Sequence, residues 1–168
     1  RRVLFRSSRT WGARWGWDYN YELVFQLGKF GSGDIHGLGA ATDTGYTFTK
    51  ARFAPRAGFR FNVTSGDKDR TDPTSQTFSP LFPGTAYSGK IGLLGPSNLM
   101  DTTPTLRLRL NRRTYFLPED SFFWRTSLND GIYGPTGALT RPGSLSRARY
   151  VGNQLTLPLQ YSVDRHLT

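Results

Sequence analysis

The 168-residue chain contains no cysteine, one methionine and two histidines. Without cysteine it can form neither disulfides nor thiolate metal sites. It has no apolar run of about 20 residues, so no transmembrane helix is expected. Ser/His/Asp constellations, phosphate-binding loops and dinucleotide-binding motifs are also missing. The sequence therefore gives no reason to expect an enzyme, and we expect no cofactor.

The first seven residues, RRVLFRS, read as the translation of a common sequencing-library adapter. We expect residues 1–7 to be non-native, like a tag, so they carry no weight for the fold. The alternative is a short basic N-terminal arm. Removing Arg1, Arg2 and Arg6 from the formal net charge of +10 leaves +7. The native chain would then continue upstream of residue 8.

The chain does contain a repeated alternation of apolar and polar residues. From Asp18 to Leu27 the odd-numbered positions are all apolar, and the even-numbered positions are polar except Val24. Successive side chains of a β-strand point to opposite faces, so this pattern predicts a strand with one apolar and one polar face. Similar segments follow at about 35–48, 56–64, 105–111, 121–128 and 151–161, with no helical pattern between them.

The second of these segments has small residues on its polar side, including Gly37, Gly39, Ala41 and Gly45. Glycine in a strand interior often marks a close approach of other groups. We therefore expect something to pack tightly against that side of the sheet.

The connections between the predicted strands alternate in length. Short turns at 49–52 and 111–114 alternate with long Gly/Pro-rich loops at 65–100 and 129–148. Loops this long are unusual in compact soluble domains, whereas outer-membrane barrels carry short turns on one rim and long loops on the other. The predicted fold is all-β, an antiparallel up-and-down meander that forms part of a transmembrane β-barrel of outer-membrane type. A soluble β-sandwich that binds polysaccharide or nucleic acid remains as a second interpretation.

Seven charged residues inside the predicted strands fall on the polar face, and no charged residue falls on the apolar face of these segments. The seven are Asp18, Glu22, Arg56, Arg60, Arg107, Arg109 and Arg125. In a soluble sandwich they would simply face water. In a closed barrel they would converge on one lumen, where a low-dielectric wall focuses their field and attracts anions. Arginine binds carboxylates through two hydrogen bonds and stays charged, and Asp18 and Glu22 would pair with some of the arginines.

The long loop contains Asp67, Asp69 and Asp72, and hard cations such as Ca²⁺ take carboxylate ligands. The three residues lack the spacing of an EF-hand and its glycine and glutamate positions. A weak calcium site is one interpretation. We favour a solvated or Arg-paired loop, and we expect no metal elsewhere in the chain.

Several segments in order resemble the alginate export family of outer-membrane barrels. They are DYNYELVFQLGKFGSGDIHG, then GYTF with APRAGFRFNVTSGDKD, then QTFSPLFPGTAYSG with SNLMD, then FFWRTSLNDGIYG, and finally YVGNQLTLPLQY with DRHL. Their order and spacing are similar to the C-terminal part of that family's domain. Residues 8–168 would then be a partial barrel domain, truncated at both ends.

The resemblance implies a large barrel, monomeric at full length and set in outer-membrane lipid, that exports an anionic polysaccharide such as alginate. Its pore candidates would be the five arginines of the polar face, with Asp18 and Glu22 beside them. A general anion-selective or carboxylate-selective porin is the nearer alternative. Periplasmic export partners stay open, and no nucleic-acid partner is expected. Pro158 lies inside the last predicted strand, where a bulge or an early strand end would accommodate it.

Overall fold

A computed structural model of the chain describes residues 2–80 and 91–163. These residues form twelve strands and one short 3₁₀-helix. The strands are β1 (Arg2–Arg14), β2 (Trp17–Phe30), β3 (Gly33–Thr47), β4 (Arg56–Thr64), β5 (Thr74–Ser75), β6 (Leu99–Arg109), β7 (Thr114–Phe116), β8 (Glu119–Arg125), β9 (Ile132–Tyr133), β10 (Leu139–Arg141), β11 (Tyr150–Thr156) and β12 (Leu159–Tyr161), and the 3₁₀-helix is Gly143–Leu145. None of the described residues belongs to a helix long and apolar enough to cross a membrane.

The main sheet is an antiparallel meander. Strands β1, β2, β3, β4 and β6 pair in chain order, and β6 then pairs with β7 and β8. Strand β12 pairs with β7 and β11 pairs with β8, so these short strands form the last two ribbons of the sheet. The one parallel pairing among the described strands is the short β5 beside β3. The described sheet does not close on itself, as expected for part of a barrel, and the predicted fold class is confirmed.

The register places apolar and polar residues on opposite faces through β2, β3 and β4. Leu23 lies opposite Ala40, which lies opposite Val63, whereas Glu22 lies opposite Ala41, which lies opposite Asn62. We call the face that carries Tyr19, Tyr21, Leu23, Phe25 and Leu27 the outer face, and the face that carries Asp18, Glu22 and Gln26 the inner face. A slip of one residue in any pairing would exchange the two faces, so this agreement fixes the register.

The outer face is uncovered. The five apolar side chains of β2 that define it are 37–53% exposed. The large apolar residues that are buried number only four among the described residues, namely Ile35, Phe78, Leu99 and Phe123, while the buried polar residues include Gln26, Thr103 and Arg125. Burial is therefore inverted relative to a water-soluble domain, where apolar side chains fill the interior. No second sheet covers the outer face anywhere in the described part of the chain, so the sandwich interpretation lacks its second layer.

Aromatic side chains cluster at both ends of the outer face. At one end Tyr46 packs against Trp17 and Phe48, with ring centroids 5.1 and 4.8 Å away. At the other end Trp124 packs against Phe122 and Tyr150, at 6.3 and 5.8 Å. Aromatic girdles at the two lipid–water interfaces are typical of outer-membrane barrels.

The two ends of the sheet differ in their connections. The short turns at 15–16, 48–55 and 110–113 lie at one end, which we call the turn rim. The long connections at 65–98 and 126–149 lie at the other end, which we call the loop rim. The turn at 110–113 is built by Asn111, whose Oδ1 accepts hydrogen bonds from the backbone N–H groups of Arg113 and Thr114. From residue 48 onward the predicted alternation of short and long connections is confirmed, whereas β2 and β3 are joined at the loop rim by a two-residue turn at 31–32.

The sequence does not predict strand β1, because residues 8–14 do not alternate and residues 1–7 are expected to be non-native. It pairs with β2 over its full length, and this places Arg6 directly opposite Phe25 on the outer face. An arginine facing lipid near mid-depth costs about 2–4 kcal/mol, so Arg6 breaks the charge segregation seen in β2. That position fits the expectation that residues 1–7 are non-native, which stays a prediction.

Two strand boundaries differ from the prediction. Strand β6 begins at Leu99 rather than near Thr105, because its outer positions Met100, Thr102 and Pro104 give no apolar alternation. The last predicted strand is interrupted at residues 157–158, between β11 and β12. Pro158 has no N–H to donate, but its carbonyl accepts a hydrogen bond from the N–H of Leu117. The early strand end expected at Pro158 is thus confirmed.

Candidate functional site

The seven charged residues predicted to share one face all lie on the inner face. Cross-strand pairing sets Arg56 opposite Arg107, and it aligns Arg60 with Asp43 on one side and Thr103 on the other. The inner face nearest the turn rim is therefore a belt of arginines and carboxylates rather than a uniformly positive wall.

Arg56 is held between two carboxylates. Its Nε donates to Asp18 Oδ2 at 2.8 Å and its Nη2 donates to Asp43 Oδ1 at 2.8 Å, while Nη2 also bonds Asp18 Oδ1. To reach them the guanidinium lies flat across Gly45 and Gly58, where a Cβ atom would collide with it. The small residues of β3 thus accommodate a close approach, as the sequence predicted. The resulting group of one arginine and two aspartates has a formal charge of −1.

Arg60 is the second paired arginine. Its Nη2 donates to Glu119 Oε2 at 2.8 Å across β6. Next to this pair, Asn62 donates to both carboxylate oxygens of Asp101 at 3.0 and 3.2 Å. Asp101 is buried, so this amide compensates part of the cost of removing the carboxylate from water.

Arg107 and Arg109 differ from the first two arginines. Both are exposed, and neither has a salt bridge among the residues that the structure describes. The guanidinium of Arg107 rests over the ring of Tyr115, 4.4 Å from its centroid, a contact that orients the charge without neutralising it. These two groups are open to an incoming anion, as is Arg9 of β1, which lies opposite Glu22 on the inner face, is exposed and has no salt bridge among the described residues.

Arg125 occupies a different environment. It is 2% exposed, and its guanidinium donates to the carbonyls of Ser146 at 2.7 Å, Ala148 at 2.6 Å and Asp130 at 3.3 Å. All its strong partners are backbone groups of the loop 126–149. In this position Arg125 is shielded from the space along the inner face, unlike the other four predicted arginines, and its contacts suit a residue that positions the loop.

Glu22 lies beside a cavity on the inner face. The cavity has a volume of about 340 Å³ and is lined by residues of β1, β2, β3, β4 and β6 together with Phe78, Pro80 and Pro96 of the long loop. Glu22 and Asp101 both line it. The space is large enough for a sugar-sized group, and its carboxylates would repel an anionic one.

Comparison with protein families identifies the family of the chain. The model of the family described as Alginate export matches residues 2–168. The chain belongs to the alginate export family. No curated protein and no solved structure matches it. The family is one of outer-membrane polysaccharide-export pores and not of enzymes. Parts of the motifs that suggested it, at residues 81–90 and 164–168, lie outside the described residues.

Sequence reasoning missed a buried polar network that joins the two long loops of this alginate export chain. Asp130 is fully buried and accepts hydrogen bonds from the backbone N–H of Asp67 at 2.9 Å, Thr77 Oγ1 at 2.6 Å and the Tyr133 hydroxyl at 2.6 Å. Burial, followed by the hydrogen bond to Asp130, raises the pKa of Tyr133 to about 12. The hydroxyl therefore remains a donor at physiological pH.

Asn98 makes the second joint of this network. It has a positive φ of 52° and is 1% exposed. Its amide donates to the carbonyls of Ser127 and Gly131 at 2.9 Å each, and its Oδ1 accepts from the N–H of Ser127 at 2.6 Å. The one sequence signal was the presence of Asn98 and Asp130 within loops, and nothing in the sequence indicated their partners.

The three aspartates considered for calcium do not form a common site. Each carboxylate caps its own turn: Asp67 accepts from the N–H of Asp69, Asp69 from Thr71, and Asp72 from Thr74. Burial raises the pKa of Asp67, whereas the hydrogen bonds from Thr71 lower the pKa of Asp69. Among the described residues, no three acidic or histidine side chains are grouped as metal ligands.

Proposed function

We propose that this chain is part of an outer-membrane pore that exports an anionic polysaccharide, such as alginate, along its inner face. The supporting observation is the separation of the two faces: an uncovered apolar outer face opposite an inner face rich in arginine and carboxylate. A barrel wall in lipid requires this separation, since charge is costly on the lipid side and useful on the lumen side.

Arg107 and Arg109 are the proposed first contacts for the polymer. Their guanidinium groups are exposed and carry no salt bridge to any described residue. A uronate carboxylate could take two hydrogen bonds from either of them. Because both residues lie toward the turn rim, we propose that the polymer meets them at that end of the lumen.

Arg56 and Arg60 are the proposed sites of weak, transient contact with the polymer inside the lumen. Their charges are already satisfied by Asp18, Asp43 and Glu119. A polymer carboxylate must compete with these internal partners, so each contact is weak and short-lived. Transport of a polyanion needs such contacts, because a row of unpaired arginines would bind the chain too tightly to release it.

Neutralising the four inner-face arginines of β4 and β6 tests this proposal. In planar bilayers containing the full-length protein, alginate oligomers are expected to block the wild-type current. Changing Arg56, Arg60, Arg107 and Arg109 to Gln is expected to weaken the block about tenfold or more, since a hydrogen bond to a charged group contributes about 1.5–3 kcal/mol. Lys29 is an exposed cation at the loop rim, so Lys29→Gln is the control. Alginate oligomers should block the current of this variant as they block that of the wild type.

The same experiment separates export from general anion transport. Equal block of the wild type and the quadruple variant would remove the export proposal. Block by single uronates as strong as block by oligomers would instead favour a general carboxylate-selective porin. The reciprocal change, Asp18→Asn with Asp43→Asn, frees Arg56 and is expected to prolong each blocking event.

Outer-membrane placement and the monomeric state of the full-length protein are part of the proposal. The aromatic clusters at both ends of the outer face support the membrane placement. Periplasmic partners that deliver the polymer would have to reach one rim of the barrel.

A further inference from the structure

Part of the long loop folds back onto the inner face of the sheet. After β4 the chain turns at the loop rim, returns as β5 beside Asp34 and Ile35 of β3, and continues through residues 76–80. We call residues 76–80 the lumen segment. Its path can be assigned because it contacts residues whose register places them on the inner face.

The first contact is made by Gln26 of β2. This side chain is 1% exposed, and it forms two hydrogen bonds with the backbone of one residue. Its Nε2 donates to the carbonyl of Ser79 at 2.6 Å, and its Oε1 accepts from the N–H of Ser79 at 3.0 Å. The side-chain amide of Gln26 thus pairs with the backbone of Ser79 as a neighbouring strand would. It satisfies the N–H and C=O groups of Ser79, which would otherwise need water as a partner.

The second contact is made by Phe78. Its ring is buried against Gly39 of β3, where a Cβ atom would lie 2.9 Å from Phe78 Cε2. Only glycine leaves room for the ring at this distance from the strand. The backbone N–H of Phe78 also donates to the carbonyl of Ser65 at 2.9 Å, so the segment is tied to the end of β4 as well.

The third contact joins the lumen segment to the second long connection rather than to the sheet. Thr77 Oγ1 donates to Asp130 Oδ2 at 2.6 Å, and Asp130 belongs to the other long connection. The lumen segment is therefore fixed to β2, to β3 and to the loop 126–149. A segment held at three places by buried groups has little freedom to move.

We propose that the lumen segment is a fixed constriction that sets the width of the passage near the loop rim, and that Gln26 is its positioning residue. This proposal goes beyond the proposed export function. It rests on that function only in assuming that the full-length protein forms a pore. The occupant of the constricted lumen is a stretch of this same chain, so its effect on current does not depend on which solute the pore carries.

The test is Gln26→Leu in the full-length protein, with single-channel conductance in simple salt as the measurement. Leucine keeps nearly the volume of glutamine but loses both hydrogen bonds to Ser79. Each lost bond is expected to raise the population of the released segment about fivefold. The expected result is a larger conductance with added transitions between levels. Asn20→Leu, the same kind of change on the same face of β2 away from the segment, is expected to conduct like wild type.

Misfolding can be separated from release of the segment. Folded barrel is first verified by its altered migration on unheated gels, and Phe78→Ala provides an independent way to loosen the segment without touching β2. Higher conductance in both variants supports the constriction. Wild-type conductance in folded Gln26→Leu and folded Phe78→Ala overturns it. Because no polysaccharide is present, a failed export proposal would leave this result unchanged.

Discussion

Leu23→Arg is expected to prevent stable membrane insertion of the full-length protein, whereas Val24→Arg, one residue away, is expected to insert normally. Leu23 lies on the outer face at the middle of β2, and Val24 lies on the inner face beside the cavity. An arginine that faces hydrocarbon at mid-depth costs about 2–4 kcal/mol, and one that faces an aqueous lumen costs little. The two variants add the same charge at neighbouring positions whose side chains point to opposite faces of the sheet.

The measurement is the folded fraction in lipid vesicles, followed by gel migration and by urea titration. Leu23→Arg should lower the free energy of unfolding by about 2–4 kcal/mol or fail to fold. Val24→Arg should remain within about 1 kcal/mol of wild type. The reverse order of the two variants, or equal loss in both, would mean that the outer face does not meet lipid.

Asp130→Ala is expected to release both long loops at the loop rim. The carboxylate is fully buried and accepts hydrogen bonds from four groups: the N–H groups of Asp67 and Gly131 and the hydroxyls of Thr77 and Tyr133. Removing the carboxylate leaves those donors buried without a hydrogen-bond acceptor. Each unsatisfied donor costs about 1–3 kcal/mol before the surrounding loops relax. We expect local destabilisation of about 3 kcal/mol or more, confined to the loops because the strands keep their ladder bonds.

Limited trypsin digestion of the folded barrel measures this effect. Lys68 and Arg70 are exposed beside the network and are the expected cleavage sites once the loop opens. Cleavage after these residues should accelerate about 100-fold in Asp130→Ala. Asp72→Ala is the matched control, because it removes an exposed turn carboxylate whose one hydrogen bond to a described residue comes from the N–H of Thr74. Similar cleavage rates in the two variants would show that Asp130 does not join the loops.

The sheet could be predicted because its signal is local. In β2 the side-chain period of two is written directly in the alternation of Tyr19, Tyr21 and Leu23 with Asn20 and Glu22. The same alternation identified the inner face and so gathered the charged residues on it. Strand β1 lacks this period, and its existence follows only from pairing with β2, a long-range property that one segment cannot reveal.

The pairing of inner-face charges could not be predicted in detail. The sequence indicated that Asp18 would pair with an arginine, but the choice of Arg56 depends on Gly45 and Gly58 leaving a flat path between them. Arg125 lies in the same alternation as the other arginines, yet the loop 126–149 folds over it and binds its guanidinium. The path of a loop depends on contacts between residues far apart in the chain, such as Gln26 and Ser79.

A spin-label scan along β2 tests the central claim most directly. Single cysteines are introduced one at a time at positions 18–27 of the full-length protein, which is then placed in lipid. The 168-residue chain has no cysteine of its own, so within it only the introduced site is labelled. Labels at 19, 21, 23, 25 and 27 are expected to be accessible to oxygen dissolved in the bilayer and shielded from a water-soluble relaxation agent. Labels at the even positions should show the opposite preference or be shielded from both. Odd-numbered labels buried in protein, or lacking this period of two, would contradict the assignment of the outer face to lipid.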